Sequence, residues 1–372
     1  MHSIWEPNFN ALDPVSFIIM GDLCSGKVAS KRVLFLQNEL PDYRRGFYNI
    51  LAPHFGELCV LHSGRPGILP GDAFTERVVP KINVGSLRIQ PRALTAIFWE
   101  RYDVIVAGFD LHWPFNFLAP LNRHRPRYLL WGHRYSGNSL ANWAKDRIMS
   151  IADGQVLYSR EDFPALAIRG VDMSTIAVAE NTVGVSNAEN LSGSAKSSFL
   201  FVGRLQERKG VPELIEAFAE LRRSVPRRIS LDIVGDGPEL ARCRKAVEVA
   251  GIQSDVIFHG ASSDEQQLRP LFLKAIAYVS PGPVGLGVLH AFAYGVPVVT
   301  RRNVRHGPEF TNLENGINAL IYDDPRELAG TLRHLAQDPQ LARTLGCEAF
   351  RHYDENRRVE QMAEAFRAAI YG

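Results

Sequence analysis

The chain has 372 residues, of which 46% are hydrophobic and 22% charged, the composition of an ordinary soluble globular protein. That length favours two domains with a core each, and a formal net charge of +2 argues against nucleic acid as a partner. A run of about 18 apolar residues, the minimum for crossing a bilayer, occurs nowhere in the sequence.

Residues 1–30 read as an N-terminal extension. They are expected to hold no signal peptide, because Phe17 to Met20 is too short an apolar core. The run VSFIIMGDLCSGKV nearly spells a phosphate-binding P-loop, with Gly21, Gly26 and Lys27 in place. Val28 stands where Ser or Thr would hold magnesium, and the next strand begins almost at once, so the P-loop is not adopted. From residue 31 to 182 strands alternate with helices. The strands are KRVLFLQ, ELCVLHSG, DVIVAGFD, RYLLWGH, GQVLYS and TIAVAENTV; helices end near Ala52 and run from Arg92 to Glu100. This alternation indicates a mostly parallel, doubly wound α/β sheet. Lys and Arg outnumber acids in this half, which suits an anionic membrane surface or acceptor.

Residues 183–198 are rich in Ser, Gly and Asn and read as a linker. Residues 199–350 repeat the pattern with SFLFVG, ISLDIVG, DVIFHG, AIAYVS, VPVVT and NALIY as strands. A last helix within 351–372 is expected to pack back across the junction. Two such halves place a cleft between them, lined by strand ends. Cys24, Cys59, Cys243 and Cys347 match no metal spacing and read as reduced thiols in a cytoplasmic protein.

Four motifs of the second half carry chemistry. In SFLFVGRLQERKG, Gly203 ends a strand, and Arg204 and Lys209 occupy the loop at its carboxyl end, where open α/β sheets bind ligands. Arg offers phosphate a planar fork and Lys a point charge. VGDGPEL supplies a turn at Gly235 and Gly237, and FHGAS a second at His259 and Gly260. In SPGPVGLGVLH the loop Gly282, Pro283, Val284, Gly285, Leu286, Gly287 lets backbone amides approach an anion ahead of a helix carrying His290.

This order of motifs resembles the retaining nucleotide-sugar glycosyltransferases of family 4, from about Arg32 to the C-terminus and most strongly in the second half. The resemblance implies the GT-B architecture: α/β, two doubly wound Rossmann-like domains facing a central cleft. It implies that Arg204 and Lys209 bind the donor diphosphate, and that Gly235, Gly237, His259 and Gly260 lie beside ribose and base. Two glutamates usual in the family are replaced by Gly282 and His290. The imidazole of His290 retains the capacity to bond a ribose hydroxyl, and the backbone amide of Gly282 that to bond a sugar hydroxyl. Glu309, in RHGPEF, falls where the family often has a Pro-Glu pair contacting the donor sugar. His133, past a strand end, falls where relatives place a histidine against the reacting centre. Arg44, Arg45 and Asp110 are candidates for the acceptor side. The activity implied is transfer of a sugar from a nucleoside diphosphate sugar to a glycan or polyprenyl-linked acceptor in bacterial surface glycan synthesis. The enzyme would need no metal and no other cofactor, and would sit at the inner face of the membrane. The missing glutamates keep open a non-catalytic nucleotide-sugar-binding protein, and the fold keeps open an epimerase or phosphorylase.

Overall fold

Short apolar runs become central strands because they leave nothing to give to solvent. In the computed structural model, which describes residues 30–67, 71–132, 139–185 and 187–372, the first lobe is built on such runs. Its elements are β1 (Arg32–Leu36), α1 (Arg45–Leu51), β2 (Glu57–His62), β3 (Thr75–Val78), β4 (Ile82–Val84), β5 (Leu87–Ile89), α2 (Ala93–Phe98), β6 (Val104–Gly108), β7 (Arg127–Trp131), α3 (Ser139–Met149), β8 (Gly154–Leu157), α4 (Phe163–Ile168) and β9 (Ile176–Val178). Seven strands form a parallel sheet in the order β3-β2-β1-β6-β7-β8-β9, and β4 and β5 form a separate hairpin. β3 and the hairpin have no counterpart in the sequence reading.

The second lobe comprises β10 (Ser198–Val202), α5 (Val211–Ser224), β11 (Ser230–Val234), α6 (Leu240–Ala250), β12 (Val256–Gly260), α7 (Glu265–Lys274), β13 (Ala275–Ser280), α8 (Gly287–Phe292), β14 (Val298–Arg301), β15 (Ala319–Tyr322), α9 (Leu328–Gln337) and α10 (Pro339–Asn356); α11 (Val359–Tyr371) follows. Its six strands, all foreseen from sequence, run parallel in the order β12-β11-β10-β13-β14-β15. In each sheet the order reverses once, between β1 and β6 and between β10 and β13. Loops leaving the carboxyl ends there diverge and open a crevice.

Packing joins the lobes along the connecting segment and at the C-terminus. Within the connecting segment 183–198, Val183, Val185 and Leu191 are buried in the second core, and Tyr353 Oη donates to the Val183 carbonyl at 3.1 Å. The C-terminal chain is not one helix across 351–372. α10 runs to Asn356, and Arg357 ends it, bonding Asn312 Oδ1 at 2.6 Å and pairing with Glu180. α11 then lies on the first lobe, where Phe366 meets Trp131 at 4.7 Å and Phe47 at 5.0 Å between ring centroids. Among the described residues, no helix is long and apolar enough to cross a membrane.

Candidate active site

Strand β10 delivers Gly203 and Arg204 into a loop held by backbone bonds. Gly203 N–H donates to Val234 O, and Leu205 N–H to Asp236 O, both at 2.9 Å. Gly235 and Gly237, with φ of 147° and 155°, serve this contact. A Cβ at 235 would lie 1.9 Å from Gly203 O, and one at 237 would lie 2.3 Å from Leu205 O. Their first task is to let two strand-end turns touch. The result is an open groove of about 390 Å³ lined by Gly203, exposed Arg204, Gly235, Asp236, Ser262 and Ser263. The two serines and Asp236 were not singled out from sequence; their only signal was position just past strand ends.

Lys209 closes a short turn and is joined to the glycine-rich loop at two points. Its Nζ donates to Pro283 O, and its carbonyl accepts from Gly282 N–H at 3.1 Å. The expectation that this amide is open to a sugar hydroxyl is therefore corrected. A Cβ at 282 would lie 2.0 Å from Arg208 O, so this backbone has no room for a side chain there. Burial, and then the neighbouring Arg208, push the Lys209 ammonium below its usual pKa, while Glu309 pulls the other way. Val284 N–H is taken by His306 Nδ1 at 3.2 Å. Among the described residues the amides of Gly285, Leu286 and Gly287 have no acceptor, leaving three donors at the start of α8.

Two histidines are committed within the second lobe. His259 Nε2 meets buried Asp232 Oδ1 at 2.7 Å, and Lys274 Nζ donates to the same oxygen at 3.0 Å. His290 Nε2 lies 3.1 Å from Glu265 Oε2, and its ring packs on Phe272 at 4.7 Å. Glu265, at the start of α7, also accepts from Tyr294 Oη. A carboxylate thus stands beside His290 from another element, where no spacing along the chain signals it. Gly260, with φ of 76°, ends β12, and its carbonyl accepts from Gly235 N–H at 2.7 Å.

A cleft of about 670 Å³ is lined by first-lobe strand ends, including Asn38, Arg44, Asp110, Trp131, Gly132 and Tyr158, and by Pro308 and Glu309 of the second lobe. Arg44 Nη2 donates to Asn181 Oδ1 at 2.6 Å, and Asn181 Nδ2 donates to Glu309 Oε1 at 2.9 Å. Asp110 accepts from Asn38 Nδ2 at 3.0 Å and contacts His112 Nδ1 at 2.8 Å. Burial lowers the pKa of Lys145 on the same wall, against the pull of Asp110 and Asp162. Arg45 is not in this cleft. Its side chain, 5% exposed, is paired with Asp72 and Glu76, so the acceptor role expected for it is corrected to a structural one. His133 and the sequence resembling a P-loop lie outside the described residues, although Gly132 brings the chain to the cleft wall.

Residues 186–352 match the family model described as Glycosyl transferases group 1. The chain is 32% identical over 145 residues to the lipopolysaccharide core biosynthesis glycosyltransferase LpsE of Rhizobium meliloti, covering 38% of this chain and 39% of that one. It is 26% identical over 365 residues to the GDP-mannose-dependent alpha-(1-6)-phosphatidylinositol monomannoside mannosyltransferase of Mycolicibacterium smegmatis, covering 86% and 93%. With LpsE and two further curated relatives the alignments span only 37–58% of the relative's length. The structure of Anabaena HepE in complex with UDP aligns with a TM-score of 0.70 at 18% identity, covering 91% of this chain and 99% of that one. Two parallel Rossmann-like sheets about a crevice make the fold GT-B.

Proposed function

We propose, from the premise that residues 186–352 form a group 1 glycosyl transferase domain within a GT-B fold, that this protein transfers a sugar from a nucleoside diphosphate sugar to an acceptor hydroxyl with retention of anomeric configuration. One observation carries the reading. Lys209 is bonded directly to the loop in which, among the described residues, the amides of Gly285, Leu286 and Gly287 have no acceptor, so a fixed cation and fixed dipoles belong to one loop assembly. Such groups stabilise negative charge as it grows on a departing diphosphate, without reorganising at the moment of reaction. Arg204, exposed on the groove lined by Gly203 and Gly235, is assigned as a second, planar donor for the same oxygens. The bond from the anomeric carbon to the diphosphate breaks, the acceptor oxygen bonds that carbon, and its proton passes to a phosphate oxygen. Glu309 faces the donor sugar from the cleft wall, and closure of the lobes excludes water.

The acceptor occupies the larger cleft of the first lobe. Relatives named for lipopolysaccharide core and phosphatidylinositol mannoside synthesis support a glycan or lipid-linked acceptor, reached from the inner face of a membrane. The test is incubation with labelled UDP-, GDP- and ADP-sugars. Slow release of nucleotide without acceptor, and transfer with retained configuration by NMR when acceptor is added, are expected. Binding of all three without turnover overturns the enzyme in favour of a nucleotide-sugar-binding protein, the reading that Gly282 and His290 in place of two glutamates would favour. Isomerised donor with no loss of nucleotide identifies an epimerase.

A further inference from the structure

His306 was not singled out by the sequence, yet it makes the contact that sets the glycine-rich loop. Its Nδ1 lies 3.2 Å from Val284 N, and its Nε2 lies 2.7 Å from Arg301 O. An amide only donates and a carbonyl only accepts, so the ring is neutral with its proton on Nε2. The imidazole stacks on Phe310 with centroids 4.1 Å apart and planes 15° from parallel, which fixes its orientation. It therefore ties the loop between β13 and α8 to the end of β14, one residue before the unused amides of Gly285, Leu286 and Gly287.

We propose that His306 is the positioning residue of the donor loop: its neutral ring holds Val284 so that the following amides meet the diphosphate, and a second proton releases them. This rests on the glycosyl-transfer reading for the identity of the ligand. A proton on Nδ1 would set N–H against N–H at Val284 and break the tie. The surroundings resist that proton. Burial is the largest cause of the lowered pKa of His306, and the charges of Lys209, from the turn after β10, and Arg301, on β14, act in the same direction. Carbonyls of Arg301 and Arg302 oppose it. Of the remaining charges, Glu213 from α5 is paired with Arg301 at 3.5 Å, Glu309 bears on Lys209, and Arg305 is exposed. The sign follows: the tied loop is the deprotonated form and is lost as pH falls below the free-imidazole value of roughly 6.5.

The test measures affinity for UDP, GDP and ADP between pH 5 and pH 8 in the full chain, beside ¹⁵N NMR of the unliganded protein. In His306→Asn the Oδ1 accepts from Val284 without titrating. This variant is expected to keep neutral-pH affinity and to lose part of the acid limb. The nucleotide phosphate titrates near pH 6 in both proteins, so the difference between them isolates the imidazole. His306→Leu is expected to weaken nucleotide binding by about tenfold at pH 8, the scale of one lost hydrogen bond, with the gap to wild type closing as pH falls and the protonated wild-type ring lets the loop go. NMR is expected to find the Nε2–H tautomer and a Val284 amide shift that moves with the imidazole titration. An Nδ1–H tautomer, a Val284 amide indifferent to pH, or identical acid limbs in wild type and His306→Asn would overturn the proposal. Nucleotide binding that follows the expected pattern without turnover of any donor supports the loop role and overturns only glycosyl transfer.

Discussion

Asn181 Nδ2 donates to Glu309 Oε1 at 2.9 Å, and this single contact carries the chain of polar groups from buried Arg44 in the first lobe to the second. The same amide side chain accepts from the guanidinium and donates to the carboxylate, so its two ends fix the separation of two charges. Asn181→Ala is expected to cost about 1.5–3 kcal/mol per lost bond to a charged group. Urea unfolding measures the loss, and small-angle scattering is expected to report more open lobes. Unchanged unfolding and scattering would mean that the lobes are held by α11 and Arg357 alone.

Arg204 is exposed on the groove and Lys209 is bonded to the glycine-rich loop, so in the proposed reaction they meet the leaving group by different routes. Replacing either by Ala is expected to cost about 2–4 kcal/mol of transition-state stabilisation, read as a fall of roughly 10²–10³ in kcat/KM. Near-normal kcat/KM in both variants would remove the basis of the functional reading.

Gly282 is held by geometry and not by chemistry. Gly282→Ala is expected to destabilise the protein by about 1–3 kcal/mol, because the new methyl meets the backbone carbonyl of Arg208 and not a movable side chain. Gly282→Glu, whose side chain meets the same carbonyl, is expected to lose nucleotide affinity in a thermal-shift assay. A gain of activity in that variant would show that the loop adapts.

Arg45 holds Asp72 and Glu76 in the first lobe, and its removal leaves two partly buried carboxylates facing each other. Arg45→Met is expected to cost about 3–5 kcal/mol in urea unfolding, the range for breaking a buried pair. The KM for acceptor in the folded fraction is expected to stay unchanged, in contrast to Arg44→Met, whose side chain lines the cleft.

Lys196 gives a pH dependence separate from the site. Burial lowers its pKa from 10.5 to about 8, and its Nζ donates to Leu273 O at 3.2 Å. A folded pKa below the unfolded one means the charged form burdens the fold at neutral pH. That burden is relieved as pH rises from about 8 to 10.5. The stability difference between Lys196→Met and wild type is therefore expected to be largest at pH 7 and to shrink by pH 10. A difference constant across that range would place the ammonium in solvent.

Much of the molecule was legible because its signals are local. The runs SFLFV and AIAYVS have no alternative to burial, and glycines after them mark strand ends, so the second sheet was read strand for strand. β3 was missed because TERV carries its meaning in one acid: Glu76 anchors Arg45 and His62, which lie far from it in sequence. Arg44 and Arg45 are adjacent and identical in type, yet one faces the cleft and the other an acid pair. Nothing in the residues themselves separates them.

The sequence by itself determined the six strands of the second sheet and six of the seven in the first, that they alternate with helices in two halves, and that Arg204, Lys209 and a glycine-rich loop stand at strand ends. Only the tertiary structure decided how the polar groups there are shared: Gly282 to Lys209, Val284 to His306, His290 to Glu265, His259 to Asp232. The physical reason is that burial is written in short-range hydrophobic pattern. The partner of a hydrogen-bonding group is instead chosen by whichever element packing brings within about 3 Å, at any distance along the chain.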